Sequence, residues 1–380
     1  MVGQSSECQD EGISTTISIS QTSNLSPPHH TLTSPYPSIS VLTHFTMPNI
    51  LIISAHGEIA MTLARTLLQS GTHTIWCNVG SAGSSARNAR ILIVNEVTPV
   101  DDSVVEPDNL RAFIDTNKIN VVVDMTWSHA HAEKILFGSF KAAITRQQAL
   151  TKEGSTGPKL GFIFLSTTRV HGSPSTPVND LAPVGSTLSQ DSPASFATWF
   201  PAHEQAILAA RDQLDVAILR PDVIYGRGSW IGRAWWLGLV QSIEANSANP
   251  VQSPAAITAG TGVVHVDDMA AALHAAIDRI DGRLGSWPVF DVVAETLSVA
   301  QILETIKGLF GVAIRMESHG TPENPHTEIL GRVGRPDSSR ARIVLEWTPK
   351  RMQFLENLPV YLRAWKATIE YQKRNMPGRT

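Results

Sequence analysis

Two stretches of the chain carry residue types whose spacing suits chemistry. Ser54, Ala55, His56, Gly57, Glu58, Ile59 and Ala60 join an apolar run to a helical pattern. In that context a tight turn leaves backbone N–H groups at a helix N-terminus facing a phosphate. Of the three positions a full fingerprint fills with glycine, only Gly57 is glycine; Ser54 takes the first and Ala60 the third. Ala60 still provides the small residue needed for helix packing, whereas Ser54 lacks glycine's conformational freedom in the turn. An ordinary strand, turn and helix is the equal alternative. The second stretch, Asp124, Thr126, Trp127, His129 and His131, follows a β-branched run, where open α/β sheets bind ligands. Two histidines two residues apart at a helix start point in different directions and lack a third ligand, so no metal is expected there. Thr126 and Trp127 are expected to line a cofactor or substrate cleft.

The elements that must position these residues alternate from residue 49 onward. Strand patterns cover 49–54, 73–79, 89–94, 119–125, 160–166 and 214–221. Helical patterns lie between them, at about 130–148 and 201–213 among others. The pattern predicts an α/β protein with a Rossmann-type doubly wound parallel sheet. Beyond Arg220 it loosens into a smaller C-terminal substrate lobe. That lobe has a helix near 234–245, a strand end feeding a helix capped by Asp267 or Asp268, a strand at 287–293, a helix at 298–311 and a last helix at about 352–373. The expected organisation is a disordered tail over 1–46, a dinucleotide-binding core over 47–225, and a lobe over 226–380 of which 262–292 partly returns to the core. Met47 and Pro48 directly precede the first apolar strand, so folding is expected to begin there and the tail to be a dispensable or misassigned extension.

Composition narrows the function classes. With 380 residues, 42% of them hydrophobic, the chain can bury a large core. A net charge of -4 leaves no basic excess for nucleic acid. No run approaches the roughly 20 apolar residues of a bilayer span. The Ser-, Thr- and Pro-rich first 46 residues contain no Lys or Arg, unlike a secretory or mitochondrial leader. Two cysteines, Cys8 and Cys77, offer neither a disulfide framework nor a cysteine metal cluster. A cytoplasmic protein with a small-molecule substrate is expected; oligomeric state is not readable.

Four segments in order resemble the extended short-chain dehydrogenase/reductase family, which includes NAD-dependent epimerases and dehydratases. Residues 162–180 are similar to its strand-five signature, 217–228 to its Arg-Pro and Tyr-Gly elements, 262–272 to its His-Val-Asp-Asp helix start, and 345–349 to its Trp-x-Pro close. The resemblance implies NAD or NADP as cofactor, held by Ser54, His56, Gly57, Glu58, Ile59, Ser81, Arg87, Met125, Thr126, Ser166, Pro221 and Val223. The second strand ends in Asn78-Val79-Gly80-Ser81 without a carboxylate, and Ser81, Ser84, Ser85 and Arg87 follow. That composition mildly favours NADP; a solvated surface loop is the equal alternative.

The resemblance also implies a catalytic tyrosine with a lysine four residues later, because an unassisted phenol titrates near 10. Alignment from His203-Glu204-Gln205 puts Phe196 and Phe200 at those positions. The four tyrosines stand at 36, 225, 361 and 371, and no lysine lies between Lys159 and Lys307, so no shifted pair exists. Thr167 aligns with the catalytic Ser/Thr. His171 and His203 are the candidate replacement acids or bases, and Tyr225 a candidate hydrogen-bond donor. Trp230, Trp235 and Trp236 fall where the lobe covers substrate, with packing between lobes the favoured role. Three functions are expected in descending order: an atypical NAD(P)-dependent oxidoreductase or epimerase, a redox-neutral isomerase, cyclase or dehydratase, and a non-catalytic dinucleotide-sensing regulator.

Overall fold

Runs of β-branched and aliphatic residues buried on both faces build the sheet that positions the site. The computed structural model describes residues 48–54, 57–78, 80, 85–227, 251–253, 255–316, 328 and 330–375, with only the backbone described at 85–87, 252, 369 and 371–375. The expected tail over 1–46, the helix near 234–245 and Trp230, Trp235 and Trp236 lie outside the described residues. The strands of the two larger sheets are β1 (Asn49–Ser54), β2 (Thr74–Asn78), β3 (Thr98–Val100), β4 (Val121–Met125), β5 (Leu160–Leu165), β6 (Leu214–Pro221), β7 (Val223–Tyr225), β8 (Gly260–His265), β9 (Val289–Val292) and β10 (Glu295–Ser298). The helices are α1 (Gly57–Gln69), α2 (Ser85–Val94), α3 (Pro107–Asn117), α4 (His129–Lys152), α5 (Phe200–Ala209), α6 (Val266–Ile277), α7 (Val299–Phe310), α8 (Ser339–Val344) and α9 (Phe354–Asn375). No described helix is long and apolar enough to cross a membrane.

The main sheet has seven strands in the order β9-β6-β5-β4-β1-β2-β3, and every pairing in it is parallel. Because side chains alternate along a strand, Ile50 and Ile52 of β1 join one core with Ile59, Leu63 and Leu67 of α1 and Met269 and Leu273 of α6. Leu51 and Ile53 enter a second core with Leu110, Ile114, Ile135 and Ile207 of α3, α4 and α5. Each such side chain contributes roughly 1.5–3 kcal/mol by leaving water. This is the expected doubly wound α/β sheet, and its carboxyl edge carries the loops that follow β1, β4 and β5. A smaller mixed sheet, β10-β8-β7, packs Tyr225 and Val263 against Ile302, Phe354 and Leu358 in a third core. Gly226 lets the chain leave β7 beside the end of its neighbour β8, since at φ +97° a Cβ there would lie 2.2 Å from His265 Nε2.

Two local expectations are overturned. Residues 89–94 are not the third strand; they close α2, and β3 is the three-residue segment Thr98–Val100. Four consecutive apolar residues fit either period, and here Leu92 alone of Ile91, Leu92, Ile93 and Val94 is buried. The true strand was hidden by its length and by Pro99, which an edge position tolerates. Nor do Asp267 and Asp268 cap α6: His265 does, its Nδ1 accepting the Asp267 N–H at 3.1 Å. Asp268 instead accepts the N–H groups of Lys350 and Arg351, each at 2.8 Å, and its carbonyl accepts the Trp347 indole N–H at 2.9 Å. That bonding ties the His-Val-Asp-Asp segment to the Trp-x-Pro segment.

Candidate functional site

The dinucleotide end is built where β1 turns into α1. Gly57 opens the helix, is exposed, and would meet no heavy atom within 4 Å if it carried a Cβ. A ligand oxyanion can therefore approach the helix N-terminus closely, and the residues present fit the phosphate half of a dinucleotide. Ala55 and His56 lie outside the described residues. Glu58 sits in the first turn, its carboxyl raised by burial although Arg65 and Arg227 oppose the shift. The Ile59 side chain points into the core beside Met125, so only its backbone faces the turn.

Asn78 ends β2 and binds two neighbouring elements. Its Oδ1 accepts the Ser54 N–H at 2.9 Å, and its Nδ2 donates to Asp102 Oδ1 at 3.0 Å. Asp102 was missed in the sequence because it lies 24 residues beyond Asn78. The parallel β2–β3 pairing brings it to the carboxyl edge, so a carboxylate stands there after all. Ser81 and the Arg87 side chain lie outside the described residues. Thr126 donates its N–H to the buried Asp124 carboxylate at 2.9 Å. Pro221 and Val223 are buried where β6 gives way to the lobe sheet.

At the reaction end the candidate residues occupy separate surroundings. Thr167 caps the short 3-10 turn Thr168–His171, its Oγ1 accepting the Arg169 N–H at 3.2 Å. His171 ends that turn, and its Nε2 lies 3.0 Å from Asp291 Oδ2, with both side chains buried. Gly172 then leaves at φ +70°, where a Cβ would lie 2.2 Å from the Ser192 carbonyl. Asp291 also lies 3.9 Å from Arg220 Nη1. Arg220 donates through Nε to Glu204 Oε1 at 2.9 Å and through Nη2 to Glu204 Oε2, while Ser166 Oγ donates to Oε1. Thus Ser166 is engaged with Glu204, and a buried chain runs from Ser166 through Glu204, Arg220 and Asp291 to His171. Asp291 also escaped the sequence reading; the available signal was one carboxylate inside the apolar run 287–293.

His203 and Tyr225 are held elsewhere. The Tyr225 hydroxyl donates to the Arg351 carbonyl at 2.9 Å, and its ring packs on His265, Phe354 and Tyr361. Burial raises that phenol further from neutral pH. His203 packs against Phe164 and Trp199, and its Nε2 has no hydrogen-bond partner. Phe196 and Phe200 join the same aromatic group: Trp127 stacks on Phe196 at 5.9 Å and meets Phe200 edge-on, while Phe200 stacks on Trp199 at 3.9 Å. None of these phenyl groups donates a hydrogen bond to a nicotinamide ribose or carries a proton.

Two buried groups give opposite pH signatures. Burial, aided by His129, lowers His203 to about 4, and burial raises Asp124 to about 7. Between pH 4 and 6.5 the unfolded chain binds a proton that folded His203 refuses, so its contribution is present above 6.5 and is lost, by up to about 3 kcal/mol, as pH falls. Folded Asp124 holds its proton longer than the unfolded chain, so its contribution is present below about 4 and is lost, by up to about 4 kcal/mol, as pH rises to 7. Urea midpoints measured from pH 4 to 8 should therefore show His203→Phe gaining on wild type toward acid, and Asp124→Asn gaining toward neutrality. Shifts independent of pH would contradict both assignments.

A parallel sheet in this order, with an open glycine at the start of α1, defines a Rossmann-type α/β protein. The model of the NAD dependent epimerase/dehydratase family matches residues 50–286, and the chain belongs to that family. No curated protein matches it. Among solved structures it is similar to dTDP-glucose 4,6-dehydratase from Bacillus anthracis in complex with NAD, with TM-score 0.62, 16% identity, and 86% of this chain and 99% of that one covered. It is also similar to UDP-glucose 4-epimerase from Thermotoga maritima with UDP-glucose, at 0.60 and 16%, covering 84% and 99%. A third similar structure is UDP-glucose-4-epimerase from Stenotrophomonas maltophila with bound NAD, at 0.57 and 18%, covering 85% and 99%. At these identities the structural likeness concerns the fold.

Proposed function

We propose that the chain is an atypical NAD-dependent oxidoreductase or epimerase acting on a small organic molecule, with residues 47–225 holding the cofactor and 226–380 contributing mainly the substrate lobe. When bound, NAD supplies a hydride acceptor. The observation that carries the reading is the His171–Asp291 contact at 3.0 Å, one short turn beyond Thr167. A carboxylate that orients an imidazole is the arrangement of a general acid or base, and it takes the place of the absent tyrosine and lysine. Thr167 is the group to hydrogen-bond a substrate hydroxyl or carbonyl. His203, in an apolar aromatic setting, and Tyr225, with its hydroxyl bonded to Arg351, suit these roles less well. NAD fits better than the NADP suggested by the loop composition, because the Asp102 carboxylate beside Asn78 repels a 2′-phosphate. The Thermotoga epimerase carries UDP-glucose, so a nucleotide sugar is the first substrate class to test.

The test pairs cofactor binding with turnover. NADH titration should raise nicotinamide fluorescence and the melting temperature, and a His171→Gln variant should bind NADH as wild type does while losing turnover by about a hundredfold or more. No response at millimolar cofactor overturns the dinucleotide reading; full turnover in the variant overturns the role of His171. A second reading is a non-catalytic dinucleotide sensor, favoured by the Trp127–Phe196 stack and the buried Phe200 at the aligned tyrosine and lysine positions. NADH binding without turnover of any nucleotide sugar, together with retention of a protein partner in a pull-down, would select it.

A further inference from the structure

At the opposite edge of the sheet from the cofactor cleft, three metal-ligating side chains converge. His73 immediately precedes β2, while His274 lies in the last turn of α6 and Asp278 just beyond that helix. The two imidazole Nε2 atoms are 3.4 Å apart, His73 Nε2 is 3.6 Å from Asp278 Oδ1, and His274 Nε2 is 3.3 Å from Asp278 Oδ2. A four-coordinate zinc ion with bonds of about 2.0–2.1 Å separates its ligand atoms by about 3.3–3.4 Å, the edge of its tetrahedron. Asp278 faces His73 through Oδ1 and His274 through Oδ2, and one ligand atom from each of the three residues lies within 4.8 Å of the other two, close enough for one ion to draw them together. The two rings meet edge to face at 81°, their centroids 5.4 Å apart, and are not stacked.

Hydrogen bonding alone satisfies this group poorly, because one proton between facing Nε2 atoms serves one bond and two protons clash. A cation serves both nitrogens and the carboxylate at once. Of the nearest arginines in sequence, Arg279 binds Glu346 at 2.6 Å, and Arg283 binds Asp281 at 2.7 Å and the Asp278 backbone carbonyl, leaving the Asp278 carboxylate to the two imidazoles. His73 is buried, but the His274 side chain is 20% and the Asp278 side chain 47% exposed, so an ion has an entry path and water a fourth position.

We propose that His73, His274 and Asp278 form a binding site for a divalent transition metal, zinc above all, that fastens the end of α6 to the start of β2. Its role is structural, since β2 runs its full length between this site and the carboxyl edge. The residues escaped the sequence reading because His73 and His274 are 201 positions apart.

The test uses the full chain, stripped with EDTA and titrated with zinc against a chromophoric chelator, and then with cobalt(II) for its visible ligand-field bands. Histidines elsewhere, such as His29 and His30, make up a background that the variants measure. Wild type should bind one zinc more than His274→Ala, show four-coordinate cobalt bands that the variant lacks, and melt higher with zinc. Asp278→Asn should weaken that site at least tenfold. Both replaced side chains are partly exposed, so the metal-free variants should melt with metal-free wild type, which separates lost binding from lost folding. Equal zinc stoichiometry and affinity in wild type and His274→Ala, or a wild-type melting temperature unmoved by zinc, would overturn the site.

Discussion

Replacing Glu204 with glutamine should lower the unfolding free energy by about 3–5 kcal/mol, the usual cost of removing one partner from a buried ion pair. Glu204 and Arg220 are both almost wholly buried, and the Glu204 carboxylate takes hydrogen bonds from Ser166 and from two nitrogens of Arg220. Without that charge the guanidinium keeps its desolvation cost and retains the Asp291 carboxylate, 3.9 Å away, and the field of Asp180, with neither making a hydrogen bond to it. Asp291 contacts His171, so under the proposed acid-base role of that histidine turnover should fall with stability. The control is Glu304→Gln at the exposed Glu304–Lys307 pair, where less than about 1 kcal/mol is expected. Urea unfolding of the two variants makes the comparison, and similar small losses in both would contradict the buried network.

Phe200→Lys restores the ammonium that the family resemblance leads one to expect, and it should destabilise the protein instead of activating it. Phe200 is fully buried, stacked on Trp199 and edge-on to Trp127, within the core shared with Phe164 and Ile207. Losing such a ring costs about 3–5 kcal/mol, and an unpaired buried ammonium adds to that. Phe196→Tyr should be far milder, because Phe196 is half-buried and lies flat on Trp127. Denaturation of the two variants side by side decides the matter. A Phe200→Lys protein as stable as wild type would mean that the aromatic group does not fill this part of the molecule.

Much of the architecture was legible because parallel strands covered by helices on both sides read as continuous apolar runs. Ile50 to Ile53, Val121 to Val123 and Phe162 to Leu165 are all such runs, and all are buried. The same signal misled at Ile91 to Val94, where three of the four apolar residues face outward on α2. The family motifs located Thr167, Arg220 and the segment around His265, yet they did not reveal what those residues touch. His171 as partner of Asp291, Asn78 as the bridge from Ser54 to Asp102, and His73 as neighbour of His274 are each contacts between distant segments.

The amino-acid order alone determined that an open α/β sheet forms and that no tyrosine and lysine pair follows its fifth strand, since apolar periodicity is local and a segment without those residues lacks them in every conformation. The tertiary structure decided which imidazole gains a carboxylate, that a phenylalanine is locked into the core where an ammonium was aligned, and that a carboxylate returns to the end of the second strand. Those outcomes depend on strand register and helix docking, and distances of about 3 Å between segments far apart in sequence leave no periodic trace along the chain.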